Sequence, residues 1–510
     1  MKIGSYINSA NTIIHDMIYS RDKWDELLDK WRASDIRLSA AAWVITPIIW
    51  LIRVVLGLFY QFLNIMYSSL SREMEFNADK VAVKTTGSDA IISALWKLDN
   101  GFEKWNDTMN NAFLAAKKKV FVKNLYIHNN LALDRSLPIQ TEKLNSLPKD
   151  ERGGKKFFDN SEISKANMYA SHPPNDKRED NAKVPYIKCE EDSRSPWLIF
   201  NIDEKLQEEM TSLIHQKYFA KTPDSYSETA VFEKFIQQEQ QGNELAEEYL
   251  NTFRDRFLHI EDDSLLFKRM DSLSNISKET ITALKQELKV LMQPIKEIEL
   301  LVDKAVKISE GTIKETSFKF KDKEYKKKDI QEGFNMLVQE RETIFNANFK
   351  DWDGKFCAIH LYLAKEKSKE KELLKIYNQH RVISEIYKEI AAIKNTVFNE
   401  LNELQSKDEV EQNVVTSFGN RIKDMHFNLN DTLSKIDTID FIPLPNIDNV
   451  SEFKEAIIDN GKFDRKMGLI FENGEFNNII DELEAAVNNC QRIEQKNIAA
   501  ILLFHKKISN

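Results

Sequence analysis

A long apolar stretch from Leu38 to Leu70 constrains this chain more than any other feature of its sequence. Leu38–Tyr60 alone provides about 23 residues, interrupted by Pro47 and Arg53, and about 20 apolar residues are enough to cross the hydrocarbon core of a bilayer as a helix. An arginine near the centre of such a helix costs about 2.5–3.5 kcal/mol. The stretch favours a membrane-associated helix, with a buried core helix of a soluble domain as the alternative.

Polar residues recur along this stretch at steps of seven, four or three. On one continuous helix they form a narrow polar stripe through an apolar cylinder. We therefore predict a helix from about Leu38 to Ala82 whose stripe faces the interior. Thr85-Thr86-Gly87 indicate its end, because glycine suits the C′ position, and Ser88 or Asp89 can cap the next helix. Such a stripe indicates an enclosed polar site, although hydrogen bonding between helices produces the same pattern. Its members are Thr46, Arg53, Gly57, Gln61, Asn64, Ser68, Arg72, Glu75 and Asp79.

The stripe ends in two carboxylates, Glu75 and Asp79. They are four residues apart, so on a helix they lie on one face, a single turn from each other. Like charges at this spacing repel, and the pair is therefore either neutralised or arranged around a cation. A solvated helix face accounts for two carboxylates alone, but it does not account for the polar residues that precede them.

Two segments of this sequence resemble one family. Residues 71–79 read Ser-Arg-Glu-Met-Glu-Phe-Asn-Ala-Asp, which resembles the second zinc-site motif of the membrane-associated metallopeptidases that include HtpX and the CAAX prenyl proteases. Residues 171–178 read Ser-His-Pro-Pro-Asn-Asp-Lys-Arg, similar to a Ser-His-Pro-Pro-x-x-x-Arg segment that follows in that family. The resemblance covers residues 1–200 and implies a helical metallopeptidase domain with zinc as cofactor and a peptide or protein as substrate.

The same resemblance assigns roles to four residues. Glu75 would be the third zinc ligand, and Asp79 would orient a ligating histidine, which raises the basicity of that ligand. His172 would lie near the scissile carbonyl and stabilise the developing oxyanion. Arg178 would hold the His172 segment or the substrate. The resemblance also implies a location in a membrane, the bacterial inner membrane, with a large part of the protein soluble and helical.

One part of the family pattern is missing. The two other zinc ligands and the general base come from His-Glu-x-x-His, which occurs nowhere among the nine histidines of this sequence. Before Leu70 the sequence contains only His15, which lacks a second histidine at ligand spacing. We interpret Met1 as an internal methionine of a longer protein, and a relative that lost its metal site is the rival explanation. Catalytic zinc needs three protein ligands, so this chain alone is expected to be inactive.

Two function classes follow from these features. The first is a zinc metalloendopeptidase represented by an N-terminally truncated chain, and the second is a non-catalytic membrane-associated helical scaffold. A net charge of −9 gives no electrostatic reason to expect nucleic acid as a partner. Cysteines 189, 357 and 490 are too far apart for a Cys-x-x-Cys site and suit a reducing compartment. Cys357 beside His360 is predicted to be a packed thiol and not a nucleophile.

The composition predicts a mainly α protein. Only 14 glycines and 11 prolines occur in 510 residues, which favours long helices over a turn-rich β fold. We predict an incomplete metallopeptidase domain over residues 1–200 with a loop-rich segment at 137–196, a helical region at 201–440 and a C-terminal helical region at 441–510. One small hairpin is predicted between Phe318 and Tyr325. The oligomeric state is not indicated.

Overall fold

The structure is a computed structural model that describes residues 36–158, 172–190, 194–200, 202–254, 256–310, 313, 315–406, 410–471 and 474–509. Side chains are described from residue 51 onwards, except at positions 53, 99 and 243. The predictions that concern His15, the start of the chain, Ser171 and the side chains of Thr46 and Arg53 lie outside the described residues.

The described chain is mainly α-helical with one small antiparallel hairpin, as predicted. Strands β1 (Ser317–Phe320) and β2 (Lys323–Lys326) pair with Phe318 opposite Tyr325. The helices are α1 (Ile36–Thr86), α2 (Ser88–Lys117), α3 (Leu125–Ser146), α4 (Asn175–Ala182), α5 (Asp203–Lys217), α6 (Thr229–Glu239), α7 (Asn243–Glu247), α8 (Asp263–Asp271), α9 (Lys278–Glu310), α10 (Ile330–Glu366), α11 (Glu370–Gln405), α12 (Gln412–Ser434), α13 (Val450–Ile457) and α14 (Glu475–Ser509).

Helix α1 contains the whole segment that was predicted to be helical and continues through Pro47. It ends where Gly87 adopts a φ of 85°, a conformation that side chains other than glycine rarely adopt. A Cβ atom at Gly87 would also lie 2.7 Å from the Cβ of Cys189. The predicted role of Gly87 as a helix terminator is confirmed.

The apolar flank of α1 is exposed. Leu58, Phe59 and Phe62 are 63, 59 and 58% exposed, and only 6% of the most apolar window of this helix is buried. The helix is long and apolar enough to cross a membrane, and a core helix would instead bury this flank. The polar stripe faces inward at its C-terminal end, where Ser68 and Asp79 are buried. The prediction that the stripe faces the interior is wrong at Gln61, which is exposed.

The loop-rich segment predicted over residues 137–196 contains more helix than expected. Helix α3 continues through Pro138 as far as Ser146, and α4 lies within the same segment. Proline removes one backbone donor from a helix interior, and the surrounding turns of α3 tolerate that loss. The Pro173-Pro174 pair acts as a helix start, because Pro174 is the N-cap residue of α4.

The described chain divides into two compact units. Unit 1 comprises the described residues up to Ser227 and Lys304–Ile330, and unit 2 comprises Glu228–Asp303 and the described residues from Gln331 onwards. Unit 2 contains two hydrophobic cores, one built around Trp352 and Phe356 and one that joins α11, α12, α13 and α14. The break predicted at residue 441 therefore separates two helical segments of the same unit.

Neutral histidines are buried in unit 2. The rings of His360 and His505 stack with centroids 3.7 Å apart, and the hydroxyl of Tyr377 lies 2.7 Å from Nε2 of His505. Nε2 of His380 donates to the carbonyl of Leu258 at 3.0 Å. Burial lowers the pKa of His360 and of His380 to about 4, and it lowers the pKa of His505 well below its usual value.

These histidines predict a loss of stability in mild acid. The folded-state pKa lies below the unfolded value of 6.5, so the stabilisation is present above pH 6.5 and is lost as the pH falls towards about 4. Full protonation of one such histidine lowers the free energy of unfolding by about 3 kcal/mol. We expect hydrogen-exchange protection of α11 and α14 to fall between about pH 7 and pH 5, after correction for intrinsic exchange rates.

The His380→Gln variant tests whether protonation of His380 contributes to this loss of stability in acid. A glutamine amide can still donate to the Leu258 carbonyl but does not titrate, so protection should depend less on pH. The carboxyl of Glu494, 3.8 Å from His380, contributes in the opposite direction, because burial raises its pKa and its contribution is lost as the pH rises. Equal pH slopes for the parent chain and His380→Gln would contradict the assignment to His380.

Candidate functional site

The two carboxylates at the end of the polar stripe meet the start of α4. Arg178 donates from Nε and Nη2 to the two carboxylate oxygens of Asp79, at 2.9 and 2.7 Å. Its Nη1 lies 3.8 Å from Oε2 of Glu75. Asp79 is only 3% exposed, so a buried carboxylate is neutralised by a bidentate guanidinium. The hydrogen bond with Asp79 is the main reason why the pKa of Arg178 is raised.

His172 also lies at this site. Its Nδ1 forms a short contact with Oε1 of Glu75, while most of the imidazole is exposed to solvent. Pro173 and Pro174 follow directly and lead into α4. Proline fixes the backbone φ angle, so His172 is presented on a stiff entry to the helix that carries Arg178.

A buried ion network supports α4 from the opposite side. The carboxylate of Glu179 accepts hydrogen bonds from the amides of Phe157 and Phe158 at 3.0 and 2.9 Å. Lys183 donates to Glu179 at 2.7 Å and to Asp150 at 3.0 Å, and the side chains of Glu179 and Lys183 are fully buried. Burial alone would raise the pKa of Asp150, but hydrogen bonds from the Arg152 amide and from Lys183 lower it.

Further hydrogen bonds join α4 and the residues after it to helices α1 and α2. The side-chain amide of Asn181 donates to the carbonyl of Phe76 at 2.9 Å. Neither Ser88 nor Asp89 caps α2, whose N-cap residue is Gly87 without a side-chain hydrogen bond. The hydroxyl of Ser88 instead donates to the carbonyl of Ala182 and accepts from the amide of Ile187. Ser88 therefore joins the N-terminal end of α2 to the segment after α4.

The four residues singled out in the sequence come together. His172 contacts Glu75 across 97 positions of the chain, and Arg178 contacts Asp79 across 99 positions. Sequence reasoning missed Glu179 and Lys183, because a Glu and a Lys four residues apart in a charged segment are typical of a solvated helix face. The segment at residues 171–178 that singles out Arg178 does not indicate the buried ion network of Glu179 and Lys183.

The described residues do not complete a catalytic zinc centre. Oε2 of Glu75 is buried and has no hydrogen-bond partner within the described part of the chain, which suits an oxygen that ligates a cation. Among the described residues, however, no three His, Cys, Asp or Glu side chains lie close enough to hold a metal ion together. If Glu75 binds zinc, it would supply one of the three protein ligands that catalytic zinc requires.

The Cys357 and His360 pair is part of a hydrophobic core. Cys357 is fully buried, and burial raises the pKa of its thiol well above the usual value. Nδ1 of His360 lies 2.7 Å from the carbonyl of Phe356 and not against the thiol. Because the thiolate is the nucleophilic form of cysteine, this arrangement supports the predicted packed cysteine.

No family model matches the sequence, and no curated protein or solved structure matches the chain significantly.

Proposed function

We propose that this chain carries one part of a zinc metalloendopeptidase site, consisting of Glu75, Asp79, His172 and Arg178. The two other zinc ligands and the general base would come from a His-Glu-x-x-His segment that the 510 residues do not contain. In this proposal the chain alone is inactive, and a longer protein cleaves peptide bonds.

One observation carries the proposal: two segments that resemble consecutive motifs of one peptidase family meet in space. Contacts at sequence separations of 97 and 99 residues are not determined by either motif alone. A solvated helix face would leave Asp79 in water, yet Asp79 is buried and paired with Arg178.

Each residue has a defined task in the proposal. Glu75 presents Oε2, the oxygen without a hydrogen-bond partner in the described chain, to the metal. Asp79 and Arg178 hold α1 and α4 together and so fix the distance between Glu75 and His172. The exposed imidazole of His172 then faces the substrate, where a donor stabilises negative charge on the carbonyl oxygen.

A second function is favoured by the neutralisation of the carboxylates. Arg178 forms a bidentate pair with Asp79, and His172 contacts Glu75, so the repulsion between the two acids is balanced without a cation. These contacts would serve equally well in a non-catalytic, membrane-associated scaffold that kept the family architecture.

The two functions differ in zinc binding. We would purify the 510-residue chain and a protein extended upstream in the same reading frame, both in mild detergent, and measure zinc per polypeptide and casein cleavage. The extended protein should contain one zinc and cleave casein, whereas the shorter chain should do neither. Stoichiometric zinc in the 510-residue chain would refute the missing-ligand argument. A stop codon upstream without an intervening His-Glu-x-x-His would favour the scaffold.

We also propose that α1 anchors the protein in a membrane, the bacterial inner membrane in the case of a peptidase of this family. Its exposed Leu58, Phe59 and Phe62 form a surface that lipid would cover. After cell fractionation and a carbonate wash, the chain should remain in the membrane pellet. Replacing these three residues by Gln should move protein to the soluble fraction, whereas Phe102→Gln, an equally exposed position on α2, should not. A parent chain that is soluble without detergent would contradict the anchor.

A further inference from the structure

Unit 2 contains a cavity of about 640 Å³ that the proposed peptidase site does not use. Residues around 256–260 line it together with parts of α10, α11 and α14. Its volume falls within the range of about 300–1,000 Å³ that is usual for small-molecule sites. Aromatic side chains form one wall, where the rings of Phe257 and Tyr387 stack with centroids 4.4 Å apart.

The cavity is lined by a buried carboxyl group, one oxygen of which lacks a hydrogen-bond partner within the described chain. Glu494 is 1% exposed, and its Oε1 has no hydrogen-bond partner within the described chain. Its Oε2 accepts from the side chain of Gln495 at 3.3 Å. Burial raises the pKa of Glu494 well above the usual value, which favours the protonated form, the form that can donate a hydrogen bond. A buried polar group without a partner is rare in native structures.

The second buried carboxylate at the cavity is already neutralised. Asp353 accepts two hydrogen bonds from the guanidinium of Arg256, at 2.6 and 2.8 Å, and a third from the amide of His259 at 2.9 Å. The guanidinium also lies over the ring of Phe349, 4.5 Å from its centroid. The inner part of the cavity therefore holds the carboxyl group of Glu494 and a neutral Arg256–Asp353 ion pair.

The rim of the cavity carries an excess of positive charge. Lys350 and Lys388 line it, and neither forms an ion pair with another described residue. Burial lowers the pKa of His259, and the charges of both lysines lower it further against the effect of Asp353. Of the acids at the rim, Glu385 is paired with Lys435 at 2.7 Å, which leaves Glu342 to oppose the two lysines.

We propose that this cavity binds a small organic anion, a carboxylate or a phosphate ester, with its charged group between Lys350 and Lys388 and an acceptor oxygen on the carboxyl of Glu494. Charge-assisted hydrogen bonds to such oxygens are the strong ones in proteins. The site lies within unit 2 and does not depend on the peptidase proposal.

Calorimetric titration of the full chain in detergent at low ionic strength tests the site. Citrate and inorganic pyrophosphate are the two probes, and they distinguish carboxylate from phosphate recognition; sodium chloride of equal ionic strength is the blank. Saturable binding of either probe below about 10 mM supports the site, since even millimolar affinity corresponds to about 4 kcal/mol. Absence of saturable binding by both probes overturns it.

Substitutions at the cavity test whether the anion binds there. The Lys350→Glu/Lys388→Glu double variant should weaken binding by about tenfold or more, whereas Lys367→Glu/Lys371→Glu, the same charge change at exposed positions outside the cavity, should stay within about twofold. Glu494→Gln keeps a donor and should bind, while Glu494→Met should weaken binding about tenfold. If Glu494→Met does not fold, the comparison between the two lysine double variants still decides whether the anion binds in the cavity. Equal losses in the two lysine double variants would overturn the site.

Discussion

The Glu75→Ala variant of a protein that carries both parts of the proposed site should lose its zinc and its peptidase activity. The substitution removes a ligand carboxylate and leaves two ligands where catalytic zinc needs three. Zinc content and casein cleavage of the purified variant measure the two losses. Glu73→Ala is the matched control, because Glu73 is exposed on the same helix two residues away, and residues two apart do not share a helix face.

The neighbouring residues should give weaker and different effects. Asp79→Ala should reduce activity by about 10–100-fold, the usual cost of removing a residue that supports a metal site from outside its ligands. It also leaves Arg178 without its bidentate partner, so the zinc content should fall as well. His172→Ala should lower kcat more than zinc content, since its proposed contact is with the oxyanion. An active protein that is indifferent to Glu75→Ala would refute the ligand assignment.

The Lys183→Met variant should destabilise unit 1 by about 3–5 kcal/mol, because it removes the buried cation that donates to the carboxylates of Glu179 and Asp150. Lys156, 3.5 Å from Glu179 and partly exposed, remains as a weaker partner. Urea unfolding in mild detergent, followed by far-UV circular dichroism, measures the change. Arg152→Ala is the control: Arg152 pairs with Asp180 at 2.6 Å, but its side chain is 44% exposed, and exposed pairs contribute about 0–1 kcal/mol.

A double variant separates charge burial from packing. Replacing Glu179 by Gln together with Lys183→Met removes both members of the fully buried pair, so the combined loss should be smaller than the sum of the single losses. If Lys183→Met lowered the free energy of unfolding no more than Arg152→Ala does, the buried network would contribute no more stability than an exposed ion pair. Because α4 carries Arg178 and Lys183 is its C-cap residue, loss of the network should also release Arg178 from Asp79.

Much of the fold could be predicted from local patterns. The apolar run predicts α1, Gly87 predicts its end, and the alternation around Phe318 and Tyr325 predicts the hairpin. Errors arose where tertiary contacts outweigh a local signal. Pro138 was interpreted as part of a loop although α3 continues through it, and Ser88 bonds to residues about 100 positions away instead of capping α2.

The sequence by itself determined which residues are candidates for the site and which face of α1 two of them share, because helical spacing places Glu75 and Asp79 one turn apart regardless of what surrounds them. Only the tertiary structure decided what those carboxylates meet. Arg178 and His172 reach them from a segment almost 100 residues away, and burial turns Glu179 and Lys183 from an ordinary surface pair into the support of the site. Ionic energies depend on the solvent that burial removes, and burial is a property of the packed chain and not of a local pattern.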